Sequence, residues 1–328
     1  MAFSEIPLVD FAPFLHGDDA QKRAIARQIG DACRNSGFFY LKNHGIEADR
    51  FARIYAAGEA FYNLPLDAKM DVAAAKSERL RGYTPMLGEK LSKKGDLKEC
   101  FDIALEIPAD DLDTARGAQL YGPNQWPDNL DGFRDAVYQN YYLHVLELGR
   151  HVLEAFALAL DLPADHFAAL TRKPMCNLRI LHYPPQDGLI DADMLGCGAH
   201  TDYECFTLLA QSDTGGLQVQ NSAGDWIEAP PIEGTFVVNI GDMMARWSND
   251  EFASTPHRVI NRSGRERYSL PFFFGADYFA ELECLPTCQS ADNPPRYPPI
   301  MAGDYLRSRY DSTFTYRERA EPELAEAA

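Results

Sequence analysis

Positive charge is scarce in this chain: 31 Lys and Arg stand against 49 Asp and Glu in 328 residues, a formal net charge of −18. A field of that sign repels polyanions and no basic stripe interrupts it, so neither nucleic acid nor an anionic membrane is an expected partner. Acidity of this kind is read as a solubility device. Long apolar runs are missing too, and none approaches the ~20 residues that cross a bilayer. The opening Met1-Ala2-Phe3-Ser4-Glu5 has neither the basic flank nor the apolar stretch of a secretion signal. Cysteines are few and unpatterned. Cys33, Cys100, Cys176, Cys197, Cys205, Cys284 and Cys288 are odd in number and scattered, which disfavours a disulfide framework and fits a reducing cytoplasm. Cys284 and Cys288 resemble half a metal site, but no second pair accompanies them and they read as loop thiols.

No repeat or long linker divides the sequence, and 46% hydrophobic content suffices for a large core. Apolar spacing predicts an edge strand over Ile6 to Phe11, a helix over Asp18 to Asn35, a short buried strand at Gly37 to Leu41 and a helix over Ala48 to Asn63. The longest helical stripe runs from Asp131 to Leu160 through Phe133, Val137, Tyr141, Val145, Leu148, Val152 and Phe156, and suits a helix that backs a sheet. From Arg179 the pattern changes to short strands separated by Gly-containing turns, the mark of a sandwich or jelly-roll barrel. The expected organisation is an N-terminal helix and strand region over residues 1–130, a β core with its backing helix over 131–316, and a frayed charged tail over 317–328.

Chemistry concentrates in the strand-rich half. His200 and Asp202 lie two apart beside the apolar run Phe206 to Ala210, and side chains two apart on a strand share a face. His257 follows in a second strand-like stretch, Pro256 to Ile260, from which a third ligand can reach the same ion. Two imidazoles and a carboxylate on one side of an octahedron leave three sites open, the donor set of non-haem Fe(II) oxygenases. Taken alone, His-x-Asp also suits a surface turn with an unrelated core His.

A second constellation stands beside the first. Arg267 and Ser269 share a face of the aromatic strand Arg267 to Phe274, and an inward arginine among apolar neighbours requires an anion. Upstream, Arg179, Leu181 and Tyr183 alternate in the same way. A dicarboxylate held by Arg267, Ser269 and Tyr183 at one end can chelate the metal at the other, the binding mode of 2-oxoglutarate.

With these motifs the chain resembles the isopenicillin N synthase-like family of Fe(II)/2-oxoglutarate-dependent dioxygenases. The resemblance rests on His200-Thr201-Asp202, Pro256-His257-Arg258-Val259, Arg267-Tyr268-Ser269 and the Arg179 to Pro185 segment. In the N-terminal half it rests on Ile6 to Asp10, Gly37 to Tyr40, Asn43-His44-Gly45-Ile46, Arg81-Gly82-Tyr83 and Asn124-Gln125-Trp126-Pro127. Bacterial ethylene-forming enzymes are similar in Arg179 to Gln186 and His200 to Tyr203; Leu181 departs from many plant relatives, which carry Asn there. The resemblance implies a mixed α+β fold around a double-stranded β-helix, or jelly-roll, core. It implies Fe(II) held by His200, Asp202 and His257, 2-oxoglutarate held by Arg267 and Ser269, and O2 as co-substrate. The product set is succinate, CO2 and an oxidised, by default hydroxylated, small molecule. Candidate substrate contacts are Arg179, Tyr203, Tyr83, Phe101 and Phe274, with Arg307 or Arg309 reaching an anionic substrate from a C-terminal helix. An oxidase that takes no 2-oxo acid and a non-redox metal-binding protein of the same fold are the alternatives.

Overall fold

The computed structural model describes residues 2–186 and 194–313. Twelve strands build its two main sheets: β1 (Leu8–Asp10), β2 (Phe38–Lys42), β3 (Gly82–Thr84), β4 (Glu99–Ala104), β5 (Asn177–Tyr183), β6 (Cys197–His200), β7 (Phe206–Gln211), β8 (Leu217–Gln220), β9 (Trp226–Glu228), β10 (Thr235–Ile240), β11 (His257–Val259) and β12 (Arg267–Phe274). The larger sheet has the order β1-β2-β10-β7-β12-β5-β4-β3, and the smaller one β6-β11-β8-β9. Every pairing is antiparallel except β1 with β2. β1 therefore sits at an edge, as the N-terminal pattern requires.

Strand parity divides the core in two, because alternate side chains leave opposite faces of a sheet. One face of the large sheet contributes Phe38, Tyr40, Cys100, Leu181, Tyr183 and Val237 to a core shared with Cys197, Leu217, Val219 and Val259 of the small sheet. The other face contributes Phe101, Ile180, Leu208, Phe236, Leu270 and Phe274 to a core shared with the helices Asp19–Asn35, Ala48–Tyr62 and Leu143–Ala159. Helices thus back the large sheet and the small sheet covers its front. Sandwich and backing helix agree with the jelly-roll expectation.

Helix boundaries follow local chemistry. Asp18 closes the first long helix with a capping box, accepting from the Gln21 backbone N–H while the Gln21 side chain accepts from its own. The long stripe expected as one helix has two windings. Asp135–Tyr142 is π-helical, and five of its eight residues, Val137, Tyr138, Asn140, Tyr141 and Tyr142, are buried, a wider face than a 3.6-residue stripe gives; an α-helix follows over Leu143–Ala159. Within it Gly149 faces the Phe274 ring, which a Cβ would meet at 2.4 Å. Phe274 is stacked on Phe206 and has nowhere to go. Gly149→Ala is therefore expected to lower stability by roughly 1–3 kcal/mol through overpacking, although alanine is the better helix former. A urea midpoint equal to or above that of the parent would contradict this close contact.

The back face also buries a polar cluster. Glu99 Oε2 accepts from Lys69 Nζ at 2.8 Å and from the Tyr83 hydroxyl at 2.6 Å, while Oε1 lies 2.8 Å from His182 Nδ1. Burial works to raise the Glu99 pKa, but His182, Lys69 and Tyr83 outweigh it and hold it at about 2. A depressed carboxyl adds stability above its unfolded pKa of ~4.3 and loses it as pH falls through the folded value. Between about pH 4.5 and 2 this group alone is expected to forfeit on the order of 3 kcal/mol. Glu99→Gln should flatten the acid limb of a stability-against-pH curve, and an unchanged limb would show that Glu99 does not drive it.

Candidate active site

The front face of the large sheet and the inner face of the small one enclose a cavity with an open mouth, and the candidate iron and 2-oxoglutarate residues stand in its wall. β6 and β11 pair so that His200 stands opposite His257, with ring centroids 4.3 Å apart. Asp202 is not on the strand with His200. β6 ends at His200, and the carboxylate is delivered by the bend before β7, so the two-residue period explains only one of the pair. That bend is held by the backbone: Asp242 N–H donates to the Asp202 carbonyl and Gly241 N–H to the Cys205 carbonyl. A Cβ on Gly241 would lie 2.2 Å from the Glu204 carbonyl oxygen, so only glycine lets the two chains approach.

Donor atoms of His200, Asp202 and His257 lie within 4.8 Å of one another. Asp202 Oδ1 is 3.6 Å from His200 Nε2 and 3.5 Å from His257 Nε2. The opposite edges are already occupied. His200 Nδ1 is 2.8 Å from the Gly198 carbonyl and His257 Nδ1 3.2 Å from the Thr255 carbonyl, which fixes the tautomer and leaves each Nε2 lone pair facing the gap. Asp202 Oδ2 accepts from Thr207 Oγ1 at 2.5 Å and Asn239 Nδ2 at 2.7 Å, so Oδ1 is the free donor. Burial alone would raise the Asp202 pKa; the two imidazoles and Asn239 instead hold it well below the usual carboxylate range. An anionic oxygen and two imidazole nitrogens converging on one gap fit a divalent first-row metal.

Across the cavity Arg267 is wholly buried. Its Nη1 donates to Ser269 Oγ at 3.1 Å, its Nη2 to Gln211 Oε1 at 3.0 Å, and its guanidinium lies 4.8 Å from the centroid of the Tyr183 ring. Among the described residues no carboxylate pairs with it, and its Nε has no hydrogen-bond partner. A buried guanidinium so placed is short of one anion, which 2-oxoglutarate carries.

Residues 174–276 match the 2OG-Fe(II) oxygenase superfamily and residues 6–129 match the N-terminal family described as non-haem dioxygenase in morphine synthesis. The chain belongs to the 2OG-Fe(II) oxygenase superfamily. A 2-oxoglutarate-Fe(II) type oxidoreductase of Emericella nidulans is 39% identical over 335 residues, covering 100% of this chain and 96% of that protein. The homoarginine-6-hydroxylase 2-ODD-233 of Oryza sativa subsp. japonica is 34% identical, covering 95% of this chain and 98% of that one. Among solved structures, a full-length Neurospora crassa protein in complex with alpha-KG and thymine superposes with a TM-score of 0.83 at 33% identity, over 94% of this chain and 96% of that one. This 2OG-Fe(II) oxygenase is accordingly an Fe(II)- and 2-oxoglutarate-dependent dioxygenase that consumes O2 and oxidises a small organic substrate with release of succinate and CO2.

Of the residues expected at the site, His200, Asp202, His257, Arg267, Ser269, Tyr183, Arg179 and Tyr203 line the cavity. Tyr83, Phe101, Phe274 and Arg307 do not. Parity explains the three aromatics: Tyr83 pairs with Phe101 and Phe101 with Ile180 on the helix-backed face, and Phe274 is one step out of register with Arg267, Ser269, Pro271 and Phe273, so Phe273 is the aromatic in the wall. On the helix Ala302–Thr313 the inward face carries Leu306 and, one turn on, Tyr310, with Arg307 turned about 100° away. Arg309 Nη2 pairs with Asp242 at 2.7 Å, and its guanidinium sits 4.6 Å from the Tyr203 ring centroid. It braces the wall from outside.

Several cavity residues escaped the sequence reading: Glu89, Lys98, Glu204, Thr207, Asn239 and Tyr310. Thr207 and Asn239 carried a usable signal, since each is a polar residue inside an apolar strand at cavity-facing parity. Glu204 is buried beside Asp202, accepts from the Tyr310 hydroxyl at 2.6 Å, and is pushed up to about 7, chiefly by burial.

Proposed function

We propose that His200, Asp202 and His257 are the ferrous ligands of this dioxygenase, that Arg267, Ser269 and Tyr183 seat the distal carboxylate of 2-oxoglutarate, and that the enzyme hydroxylates a small molecule bound beside Arg179, Tyr203 and Phe273. The reading rests on Arg267, a fully buried cation without a protein carboxylate, in the same cavity as the converged donors. Bound ferrous ion would supply the activation of O2 and the one-electron chemistry that removes a substrate hydrogen. The chain's own part is positional. Thr207 and Asn239 hold one Asp202 oxygen so that the other points inward, Gly198 and Thr255 carbonyls orient the imidazoles, and Tyr183 supports the guanidinium. Leu181, Leu209, Leu217 and Val259 wall off water around the reacting atoms.

The thymine-bound Neurospora crassa structure supports a substrate of that small size. The −18 charge supports a role without nucleic acid or membrane, and the seven unpaired thiols support a reducing cytoplasm. Residues 1–130 are assigned as the N-terminal region and 131–316 as the catalytic core, while residues 187–193 and 314–316 and the 317–328 tail lie outside the described residues. Anaerobic protein loaded with Fe(II) is expected to develop a visible metal-to-ligand charge-transfer band on adding 2-oxoglutarate, and O2 uptake should require 2-oxoglutarate and match succinate formed. Uptake indifferent to 2-oxoglutarate would replace this assignment with that of an oxidase.

A further inference from the structure

The cavity wall around Arg179 is backed by an excess of acid. Arg179 is committed twice over: its Nε and Nη2 donate to the two Asp102 oxygens at 2.8 and 3.0 Å, and its Nη1 lies 2.7 Å from Glu89 Oε1. Lys98 Nζ stands 3.1 Å from both Glu89 Oε2 and Asp96 Oδ2. Three buried carboxylates thus face two cations, and neither cation has charge to spare for a ligand. Arg179, a candidate substrate contact, is spent on the protein itself.

Beyond this network stands Glu204, 3% exposed and in the cavity wall. Its hydrogen-bond partner is the Tyr310 hydroxyl, and among the described residues no cation pairs with it. It complements Arg267: one end of the cavity holds a guanidinium short of an anion, the other a buried carboxyl with no cation paired to it among the described residues. A buried carboxyl in that state calls for N–H groups on the molecule that fills the space.

We propose that the primary substrate is a nitrogenous compound that presents N–H groups, as an ammonium, a guanidinium or a ring lactam, to Glu204, and that carboxylates are excluded from this end of the cavity. The inference rests on the assignment of the iron and 2-oxoglutarate sites above. Selectivity would come from the wall: a carboxylate placed there meets Glu204 and the acid excess around Arg179 and finds no uncommitted cation.

The test uses anaerobic holoprotein loaded with Fe(II) and 2-oxoglutarate, whose charge-transfer band first certifies the loaded site. Matched probes are then added: alkylguanidines against carboxylates of equal length, and uracil against 1,3-dimethyluracil, which lacks both N–H groups. Binding is read from the perturbation of the band and from thermal shift. N–H probes are expected to bind, and their carboxylate or N-methylated partners to bind at least about 10-fold more weakly. Glu204→Leu should remove that preference. Glu204→Gln separates the two kinds of ligand, since guanidines lose affinity with the charge while lactams stay within a few-fold. Carboxylates binding as well as N–H probes, no N–H probe binding at millimolar concentration, or a preference that survives in both Glu204 variants would overturn the proposal. Absence of the band in the parent protein would instead count against the iron and 2-oxoglutarate assignment.

Discussion

Arg267→Ala is expected to weaken 2-oxoglutarate binding by about 10²- to 10³-fold while ferrous ion stays bound. Truncating one side of a buried, charge-assisted pair costs roughly 2–5 kcal/mol, and here the partner left behind is the free carboxylate of the co-substrate. Arg267→Lys should recover only part of the loss, because an ammonium cannot reproduce the planar fork that spans Ser269 Oγ, Gln211 Oε1 and a carboxylate. Thermal unfolding adds a second readout. Without ligand the guanidinium is a buried charge lacking an anion, so the parent should gain more from 2-oxoglutarate than the variant does, by the logarithm of the affinity ratio. An Arg267→Ala protein that binds 2-oxoglutarate as tightly as the parent would remove the proposed carboxylate anchor.

Asp202→Ala should abolish iron retention. The loss is expected to exceed the ~100-fold that removal of an outer hydrogen-bond partner typically produces, since the carboxylate is the only anion among the three donors. The same change leaves Thr207 Oγ1 and Asn239 Nδ2 without their acceptor, so a fall in stability is expected alongside. Asp202→Asn separates the two effects: it keeps an oxygen near Thr207 and Asn239 but removes the charge, and it should restore stability more than metal affinity. Iron content after anaerobic desalting and the melting temperature report the two quantities independently. Stoichiometric iron in Asp202→Ala would show that the converged donors are not the metal site.

What was legible in the sequence was what depends on short range. The helix beginning at Asp18 and the alternation in Arg179 to Tyr183 and Arg267 to Phe274 follow from local period, and His200 and His257 were candidates by residue chemistry before their strands were seen to pair. β3 and β4 were missed because Glu99 and Asp102 interrupt the apolar pattern, and their charges make sense only beside Lys69, His182 and Arg179 from distant segments. Phe101 and Phe274 are candidate contacts by sequence, yet the two-residue period applied to Arg267 turns Phe274 to the other face. The acid excess was illegible for the same reason as β4: Glu89, Asp96 and Lys98 gather with Arg179 of a distant strand, and Glu204 meets Tyr310, 106 residues later.

In the proposed arrangement the metal hangs from the small sheet and the bend beside it, while Arg267 belongs to the large one. A molecule that chelates the first and is clasped by the second rivets the two leaves of the sandwich together. Loading would then suppress the transient parting of those leaves, and amide protons of β6 and β11 should exchange more slowly in the ternary complex than with iron alone. The cosubstrate would serve as a removable crosspiece of the scaffold, withdrawn each time its carbon skeleton is consumed.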